Sequence, residues 1–360
     1  MKKSIALLMT FALVMTLLAG CTGTTVVIGN CTCPPGSHDG TEDGGQSNQP
    51  TLSEGSLKTG LAITTTVSDS VNATAGKDGE VKYDVTIAAV LVDDAGVIHA
   101  CVVDSIGATV KISATGTITS DITAAVQTKN ELGDKYGMVA WGGAKAEWNV
   151  QVAALCDYAV GKTAAQLRSG AVNESGYAPD GSDLSTSATI KLAGYVDAIE
   201  AAIAGAKHLG AQSGDELVVA TLNSLSASVA ATAEKAGTAQ LDANITAVSK
   251  KGGTVTSCVI DAVQAKISFD TAGRITTDLT APIQTKNELG EKYGMVAWGG
   301  AKAEWNVQAE AFARYVTGKT ASQIAGIAVT EGRPADGTDL SASVTIAIGD
   351  FQKLLDKALK

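Results

Sequence analysis

The chain has 360 residues, 45% of them hydrophobic, which is enough for one large core or two of ordinary size. Its formal net charge is −10, and this acidity disfavours nucleic acid and anionic lipid headgroups as partners. Only 4% of the residues are aromatic, so any stretch that concentrates them indicates a specialised role.

The N-terminus has the pattern of a bacterial export signal. Lys2 and Lys3 precede an apolar run over residues 5–18, which is shorter than the roughly 20 residues that a membrane-spanning helix needs. The Leu-Ala-Gly-Cys that ends at Cys21 resembles the lipobox of bacterial lipoproteins. This resemblance implies a signal peptide at residues 1–20, a membrane lipid on Cys21, and a mature protein on the outer face of the cytoplasmic membrane of a Gram-positive bacterium. The alternative is an ordinary secretory signal that ends at a cysteine.

Residues 21–58 are rich in Gly, Ser, Thr, Asp and Pro. They lack the apolar residues of a core, so we predict that the lipidated cysteine is followed by a disordered tether. Cys31 and Cys33 could form a thiol or metal site, but no His or Cys cluster accompanies them, and no metal site is expected. Of the six cysteines, five remain besides Cys21, and this odd number does not indicate a disulfide framework. Small core residues are expected at Cys101, Cys156 and Cys258.

One stretch of the chain occurs twice. Residues 127–151 recur as residues 284–308 with one aspartate-to-glutamate change, and the two copies contain all four tryptophans. They lie 157 residues apart (284 minus 127), far beyond the roughly 20–50 residues of a solenoid unit. We therefore predict an α+β protein with two tandem homologous domains, residues 59–206 and 207–360, each a small antiparallel sheet packed with helices.

Each repeat opens with strand patterns. Mostly β-branched and apolar residues at 85–92 and 97–104 predict a hairpin, and residues 244–248 and 255–261 predict its counterpart. A further short strand is expected after each hairpin, at residues 109–113 and 266–269.

Helical patterns follow each copy of the repeated stretch. Apolar residues at i, i+4, i+7 and i+11 predict helices over residues 144–160 and 301–317, with Trp148 and Trp305 on the buried face. Sequences typical of capping boxes then predict a second, short helix in each repeat. The capping boxes are at residues 163–166 and 320–323.

The chain lacks common catalytic motifs. It has no Gly-x-Ser-x-Gly elbow, no P-loop and no His-Glu-x-x-His. Its three histidines are scattered, which leaves few candidates for general-base chemistry. No catalytic residue is therefore assigned.

The last segment of each repeat places a threonine ahead of a helix. Residues 183–203 and 339–359 are each predicted as a short strand-like run, a glycine and an amphipathic helix, with Thr189 and Thr345 in the strand-like runs. A hydroxyl at this place suits a phosphate diester, because free amide N–H groups and the helix dipole stabilise phosphate there. The alternative is an ordinary strand threonine near a helix cap.

The sequences around these threonines are DLSTSATI and DLSASVTI. Here the chain resembles the covalent FMN-binding domain family, in which an ApbE-type FMN transferase esterifies the flavin phosphate to a threonine of a Ser-Gly-Ala-Thr-like motif. The resemblance implies two covalent FMN groups, one on Thr189 and one on Thr345. In this chain the motif glycine is replaced by Ala188 and by Val344. The other motif residues carried over are Asp183, Ser187, Asp339 and Ser343.

The resemblance covers nearly the whole mature chain. The order of hairpin, ELGxKYGM stretch, AEW helix, GKT turn and DLxxSxT segment is similar to that of flavinylated lipoproteins of Gram-positive extracellular electron transfer. It implies an electron carrier rather than a substrate-specific oxidoreductase. The donor would be a membrane quinol-linked dehydrogenase, and the acceptors ferric iron or soluble flavins and quinones. The rival classes are a non-redox surface protein for binding or adhesion, and an enzyme that reduces one specific small substrate.

The flavin ring is expected beside side chains of the repeated stretch. Aromatic faces and a polarizable sulfur suit a planar heteroaromatic ring, and nearby glycines allow close backbone approach. Alternatively, these residues close the end of a small core. The expected ring contacts are Tyr136, Met138, Trp141, Tyr293, Met295 and Trp298. Adjacent polar candidates for tuning the flavin are Glu147, Gln151, Glu304 and Gln308.

Overall fold

A computed structural model describes residues 55–360. The predictions of a signal peptide at residues 1–20, a lipid on Cys21 and a possible site at Cys31 and Cys33 lie outside the described residues. So does the predicted tether up to residue 54, but its end at residue 58 is wrong, because the first strand begins at Ser56 and pairs with another strand there. Within residues 55–360 the chain forms nine β-strands and ten α-helices.

The first sheet has four antiparallel strands in the order β3-β2-β1-β4. Strands β1 (Ser56–Thr66), β2 (Gly79–Val92) and β3 (Ile98–Ile112) belong to the first repeat. The hairpin predicted there is confirmed, and its residues are the halves of β2 and β3 that lie next to the turn between these strands. Strand β4 (Lys207–Gln212) follows the predicted domain boundary but pairs with β1.

The second sheet has three antiparallel strands in the order β5-β6-β7. They are β5 (Glu216–Ser224), β6 (Gly237–Lys251) and β7 (Thr254–Phe269). Gly252 and Gly253 connect β6 to β7 with φ values of 56° and 78°, which side chains other than glycine rarely adopt. The second predicted hairpin is thereby confirmed.

The short extra strands expected at residues 109–113 and 266–269 are wrong as separate elements. These residues are the ends of β3 and β7. The residues before them stay paired with β2 and β6, so no turn separates the two parts. A small two-stranded ribbon, β8 (Val329–Thr330) and β9 (Arg333–Pro334), occurs in the second repeat.

The helices occur in the same order in both repeats. A short helix and a 3-10 turn precede a long helix, and two shorter helices precede the last one. The first repeat contains α1 (Lys129–Leu132), α2 (Trp148–Ala159), α3 (Ala164–Ala171), α4 (Asp183–Ser187) and α5 (Ala193–Ala204); the second contains α6 (Lys286–Leu289), α7 (Trp305–Val316), α8 (Ala321–Ala325), α9 (Asp339–Ser343) and α10 (Gly349–Ala358). Among these helices none is long and apolar enough to cross a membrane.

The two long helices begin later than predicted. Residues 144–147 and 301–304 lie before α2 and α7, because the glutamate at each N-cap has an extended backbone. The predicted capping boxes are confirmed. The hydroxyls of Thr163 and Thr320 each accept a hydrogen bond from the N3 amide, and the N3 glutamine returns the contact.

The strand-like runs expected at the start of the last segments are wrong. Residues 183–187 and 339–343 form the helices α4 and α9 instead. Ser182 and Thr338 cap these helices, because each hydroxyl accepts a hydrogen bond from the amide three residues later. This capping outweighs the strand preference of the threonines that follow.

The two sheets pack face to face, and helices cover their outer faces. In β2, Val85 and Ile87 join a core between the sheets, whereas Ala88 and Val90 join a core under α2 and α5. Successive strand side chains point to opposite faces, which explains this division. Strands β6 and β7 divide their side chains in the same way, between the shared core and a core under α7 and α10. The described chain is thus a stack of four layers: helices, sheet, sheet, helices.

Equivalent contacts link the repeats in both directions. The amide of Ala231 donates to the carbonyl of Gly116 at 2.9 Å, and the amide of Ala73 donates to the carbonyl of Gly273 at 3.0 Å. These pairs occupy matching positions, so the repeats are related by an approximate two-fold axis.

The mixed α+β class with antiparallel sheets is confirmed, but the two tandem homologous domains are not. The described residues belong to one compact unit, and the sheets share a core. The boundaries 59–206 and 207–360 describe the sequence repeats and stay a prediction as domain limits. Two of the cysteines expected in the core, Cys156 and Cys258, are buried, and Cys101 is half-buried.

Candidate functional site

Thr189 lies in the short loop between α4 and α5, with its side chain exposed. The residues on either side anchor this loop, because Ala188 and Leu192 are buried in the core under α2 and α5. Thr345 occupies the same position between α9 and α10, next to the buried Val344. The alanine and valine that replace the motif glycine are therefore core residues.

A buried glutamine holds Thr189 in place. The side-chain oxygen Oε1 of Gln151 accepts hydrogen bonds from the amides of Thr189 and Ile190 at 2.7 and 3.1 Å, and from the Thr189 hydroxyl at 3.2 Å. Its Nε2 donates to the carbonyl of Ala146 at 2.8 Å. Because Gln151 is only 1% exposed, these contacts fix the loop to helix α2.

The second repeat reproduces this arrangement. Gln308 accepts from the amides of Thr345 and Ile346 at 2.7 and 3.2 Å and from the Thr345 hydroxyl at 3.2 Å. Its Nε2 donates to the carbonyl of Ala303 at 2.8 Å. The repeated stretch and the threonine are thus parts of one site, although they lie 38 and 37 residues apart in sequence.

The free amide groups expected around Thr189 are not free in the structure. The amides of Thr189 and Ile190 are bonded to Gln151, and those of Leu192 and Ala193 donate to the carbonyl of Gly176 at 2.7 and 3.1 Å. The start of α5 therefore does not offer a cradle of N–H groups to a phosphate. The hydroxyl instead faces an open cleft.

This cleft has a volume of about 570 Å³, within the range of small-molecule sites. One wall is the exposed face of α2, and the other is the end of α4 with Ser187 and Thr189. Lys145 and Asp157 are the only charged side chains in its lining, and Ala146, Val150, Ala153 and Ala154 make part of it apolar. An elongated ligand with an anionic end and an apolar body fits such a surface, provided that the hydroxyl supplies its attachment.

Sequence reasoning missed Asn149, which also lines the cleft. Its Oδ1 is buried without a hydrogen-bond partner, and so is Oδ1 of the equivalent Asn306. A buried amide oxygen without a partner is costly, and because it is buried a molecule in the cleft could reach it only if the side chain turned. Asparagine is also a poor residue inside a helix, and its repetition at one position was the available signal.

Glu147 organises the loop that carries the exposed tryptophan. Its carboxylate accepts from the amides of Met138 and Val139 at 2.8 and 2.9 Å, and it is only 6% exposed. Glu304 makes the same pair of contacts in the second repeat, at 2.9 and 3.0 Å. Both glutamates therefore shape the loop rather than face a ligand.

Trp141 is 91% exposed and Trp298 is 85% exposed. Each lies on a glycine, since a Cβ on Gly137 would come within 2.7 Å of the Trp141 ring and one on Gly294 within 2.6 Å of the Trp298 ring. These glycines have φ near 80°, a conformation that also favours glycine. The two indoles touch their glycines through different edges, the five-membered ring in Trp141 and the six-membered ring in Trp298, and are otherwise open to solvent.

The other expected ring contacts lie differently. Tyr136 faces the ammonium group of Lys129, which is 5.3 Å from its ring centre and 5.2 Å from that of Trp148. Met138 packs against the core under α2. In the second repeat Lys286 lies over Tyr293, and Met295 and Tyr293 pack against the core under α7. Tyr136, Met138 and Trp141 do not line the cleft at Thr189.

Trp148 and Trp305 are core residues, as predicted, with exposures of 2% and 6%. The indole nitrogen of Trp148 donates to the hydroxyl of Tyr195 at 2.8 Å, whereas Trp305 meets Phe351 edge to face at 5.8 Å. These tryptophans pack the long helix against the last helix of each repeat.

The remaining motif residues lie on the short helices. Asp183 and Asp339 are the first residues of α4 and α9, and both are exposed or partly exposed. Ser187 ends α4 and lines the cleft, and Ser343 ends α9 in the same way. Of these four motif residues, Ser187 lines the same cleft as Thr189.

Two buried carboxylates hold the start of the repeated stretch. Asp104 accepts from the amide of Asn130 at 3.1 Å, and Asp261 accepts from the amide of Asn287 at 3.0 Å. Burial raises the pKa of both carboxyl groups, although these hydrogen bonds lower it. The pKa of Asp261 is raised to about 6.

No family model, curated protein or solved structure matches the chain.

Proposed function

We propose that the protein is a lipid-anchored, extracytoplasmic electron carrier with two covalent FMN groups, joined through phosphoesters to Thr189 and Thr345. The observation that supports this best is a threonine hydroxyl held by a buried glutamine in each repeat, with Thr189 exposed and Thr345 partly exposed. The resemblance of the surrounding sequence to flavinylated lipoproteins supplies the cofactor.

The residues present fit the proposed group at its attachment point. Thr189 is exposed and its hydroxyl is held by Gln151, which suits modification by an ApbE-type FMN transferase acting from outside. The hydroxyl oxygen would form the bond to the FMN phosphorus as the pyrophosphate bond of FAD breaks, and AMP would leave with the hydroxyl proton. Lys145 would oppose the phosphate charge, and the alanines and Val150 of the cleft would accept an apolar body. Asn149 lines the same cleft, and its buried Oδ1 would accept a hydrogen bond from the bound molecule once the side chain turned toward it.

A bound FMN would supply two-electron chemistry, because it can take two electrons and two protons from a quinol. Two ferric ions could then accept the two electrons one at a time, with the two protons released to water. One soluble flavin or quinone could instead accept both electrons and both protons. The proposed donor is a membrane quinone-linked dehydrogenase. The protein holds the flavin at a fixed place, and the tether proposed for residues 21–58 keeps it near the membrane.

Intact mass tests this proposal. Full-length protein co-expressed with its FMN transferase should gain two flavin-phosphate masses, and Thr189→Ala and Thr345→Ala should each lose one. Thr186→Ala, an exposed hydroxyl of the same cleft, is the matched control and should retain both. An unmodified, colourless protein refutes the electron-carrier proposal.

A non-redox binding or adhesion protein is the second candidate. The observation that favours it is the pair of exposed tryptophans, Trp141 and Trp298. In that case Trp141→Ala and Trp298→Ala would abolish attachment of the protein to its surface ligand, while the threonine variants would have no effect.

A further inference from the structure

The cleft at Thr189 lies on the side of α2 that faces away from the sheets. Trp148, Val152 and Leu155 of this helix are buried against the first sheet. Asn149, Val150 and the alanines at 153 and 154 lie on the other side and line the cleft. At 3.6 residues per turn these sets are opposite faces of one helix.

Helix α7 has the same two sides in the second repeat. Trp305, Ala309 and Phe312 pack toward the second sheet, whereas Val307 is 52% exposed. Asn306 and Val307 are the counterparts of Asn149 and Val150. Gln308 places Thr345 beside this helix as Gln151 places Thr189 beside α2.

The threonines lie beside helices on the outer faces of the two sheets, and these helix layers meet at the sheet edge, where Glu131 of α1 forms an ion pair with Lys357 of α10. The core between the sheets is made of aliphatic side chains with Tyr83 and Phe269, and all four tryptophans of the chain lie outside it. Packed sheets lie about 10 Å apart and a helix is about 10–12 Å across, so surfaces outside the two helix layers are separated by roughly 30 Å or more.

We infer that the two attachment sites are on opposite faces of the molecule and work as two independent carriers, each reduced and oxidised at its own face. This inference rests on the proposed function. Electron tunnelling falls exponentially with distance, so a sequential path from one site to the other through an aliphatic core is slow. Each face must therefore meet donor and acceptor itself, and the flexible tether proposed for residues 21–58 would let either face turn to the membrane.

The separation can be measured without any cofactor. A ketone-bearing amino acid is introduced at positions 186 and 342, which are exposed equivalents on α4 and α9, and labelled with a nitroxide. Double electron–electron resonance on the full-length protein should give distances of roughly 30 Å or more, the thickness of two sheets and two helix layers. Distances near the ≈10 Å spacing of a single pair of layers would overturn the inference.

The functional part is tested on the flavinylated protein. With Thr189→Ala or Thr345→Ala, the remaining flavin should keep the reduction potential that it has in the unmodified chain. Electron delivery to ferric citrate should fall to about half in each variant and vanish in the double variant. Loss of nearly all delivery in either single variant would show a relay and refute independent carriers. A protein without flavin mass would defeat the proposed function, and the inference with it, whatever the measured distance.

Discussion

Replacing Gln151 with leucine removes the acceptor that holds the Thr189 loop while keeping a side chain of similar size. The variant loses the two amide bonds at 2.7 and 3.1 Å and the donated bond to Ala146 at 2.8 Å. At roughly 1 kcal/mol for each neutral hydrogen bond, and more where a buried group is left unpaired, we expect a loss of roughly 2–4 kcal/mol in the free energy of unfolding. The hydroxyl bond of Thr189 adds little, because water can replace it.

The variant should also destabilise the Thr189 loop locally, in addition to lowering the free energy of unfolding of the whole protein. Hydrogen exchange of peptides covering residues 184–195 should become faster, whereas the matching peptides around Thr345 should not change. Flavin attachment to the first site should fall, because the hydroxyl no longer has a fixed position. Gln308→Leu is the matched control and should give the mirror result.

If Gln151→Leu leaves both the hydrogen exchange of these peptides and the flavin mass of the first site unaltered, Gln151 does not hold the Thr189 loop. The two variants should also be additive in stability, because the two glutamines share no partner. Urea denaturation of the single and double variants measures this.

Three further predictions concern single side chains. Trp141→Ala should change the free energy of unfolding by less than about 0.5 kcal/mol because its ring is exposed, whereas Trp148→Ala should lower it by roughly 3–5 kcal/mol. If the ring of Trp141 contacts flavin, Trp141→Ala alone should shift the flavin absorbance of its site without unfolding the protein. An unchanged spectrum would exclude the contact. Asn149→Ala should leave the flavin-free protein as stable or slightly more stable, because it removes a buried oxygen that has no partner. It should also shift the potential of the flavin on its own repeat. Asn306→Ala is its control, and equal shifts at both sites would contradict the assignment. The pKa of Asp261 is about 6 in the folded state against 3.8 for the free group, so the folded state binds this proton more tightly than the unfolded state. The contribution of Asp261 to the free energy of unfolding is therefore greatest at low pH and falls by up to roughly 3 kcal/mol as pH rises from about 4 to 6. Asp261→Asn should remove this part of the pH dependence in urea titrations, and an unchanged profile would refute the raised pKa.

The local elements could largely be predicted from the sequence. Alternation of apolar residues located the hairpins, and the 3.6-residue period located the helices that contain Trp148 and Trp305. The capping boxes at Thr163 and Thr320 were also confirmed. The errors fell where a cap competed with strand propensity, as at residues 183–187, and where a strand continued without a break, as at residues 109–113.

Long-range contacts could not be predicted in the same way. No local pattern reports that Gln151 meets Thr189, because the contact depends on how α2 and α5 pack on one sheet. The pairing of β4 with β1 also crosses the repeat boundary, and the core between the sheets joins side chains of both repeats. Likewise, the exposure of Trp141 depends on a glycine turn and on Glu147 rather than on the hydrophobicity of tryptophan.

The core between the two sheets makes each repeat depend on the other. One repeat alone would leave the inner face of its sheet, with residues such as Val85 and Ile87, open to water. The reciprocal contacts of Ala73 with Gly273 and of Ala231 with Gly116 are those of a two-fold dimer interface. The single chain therefore has the internal organisation of a two-fold dimer, in which each sheet covers the apolar inner face of the other.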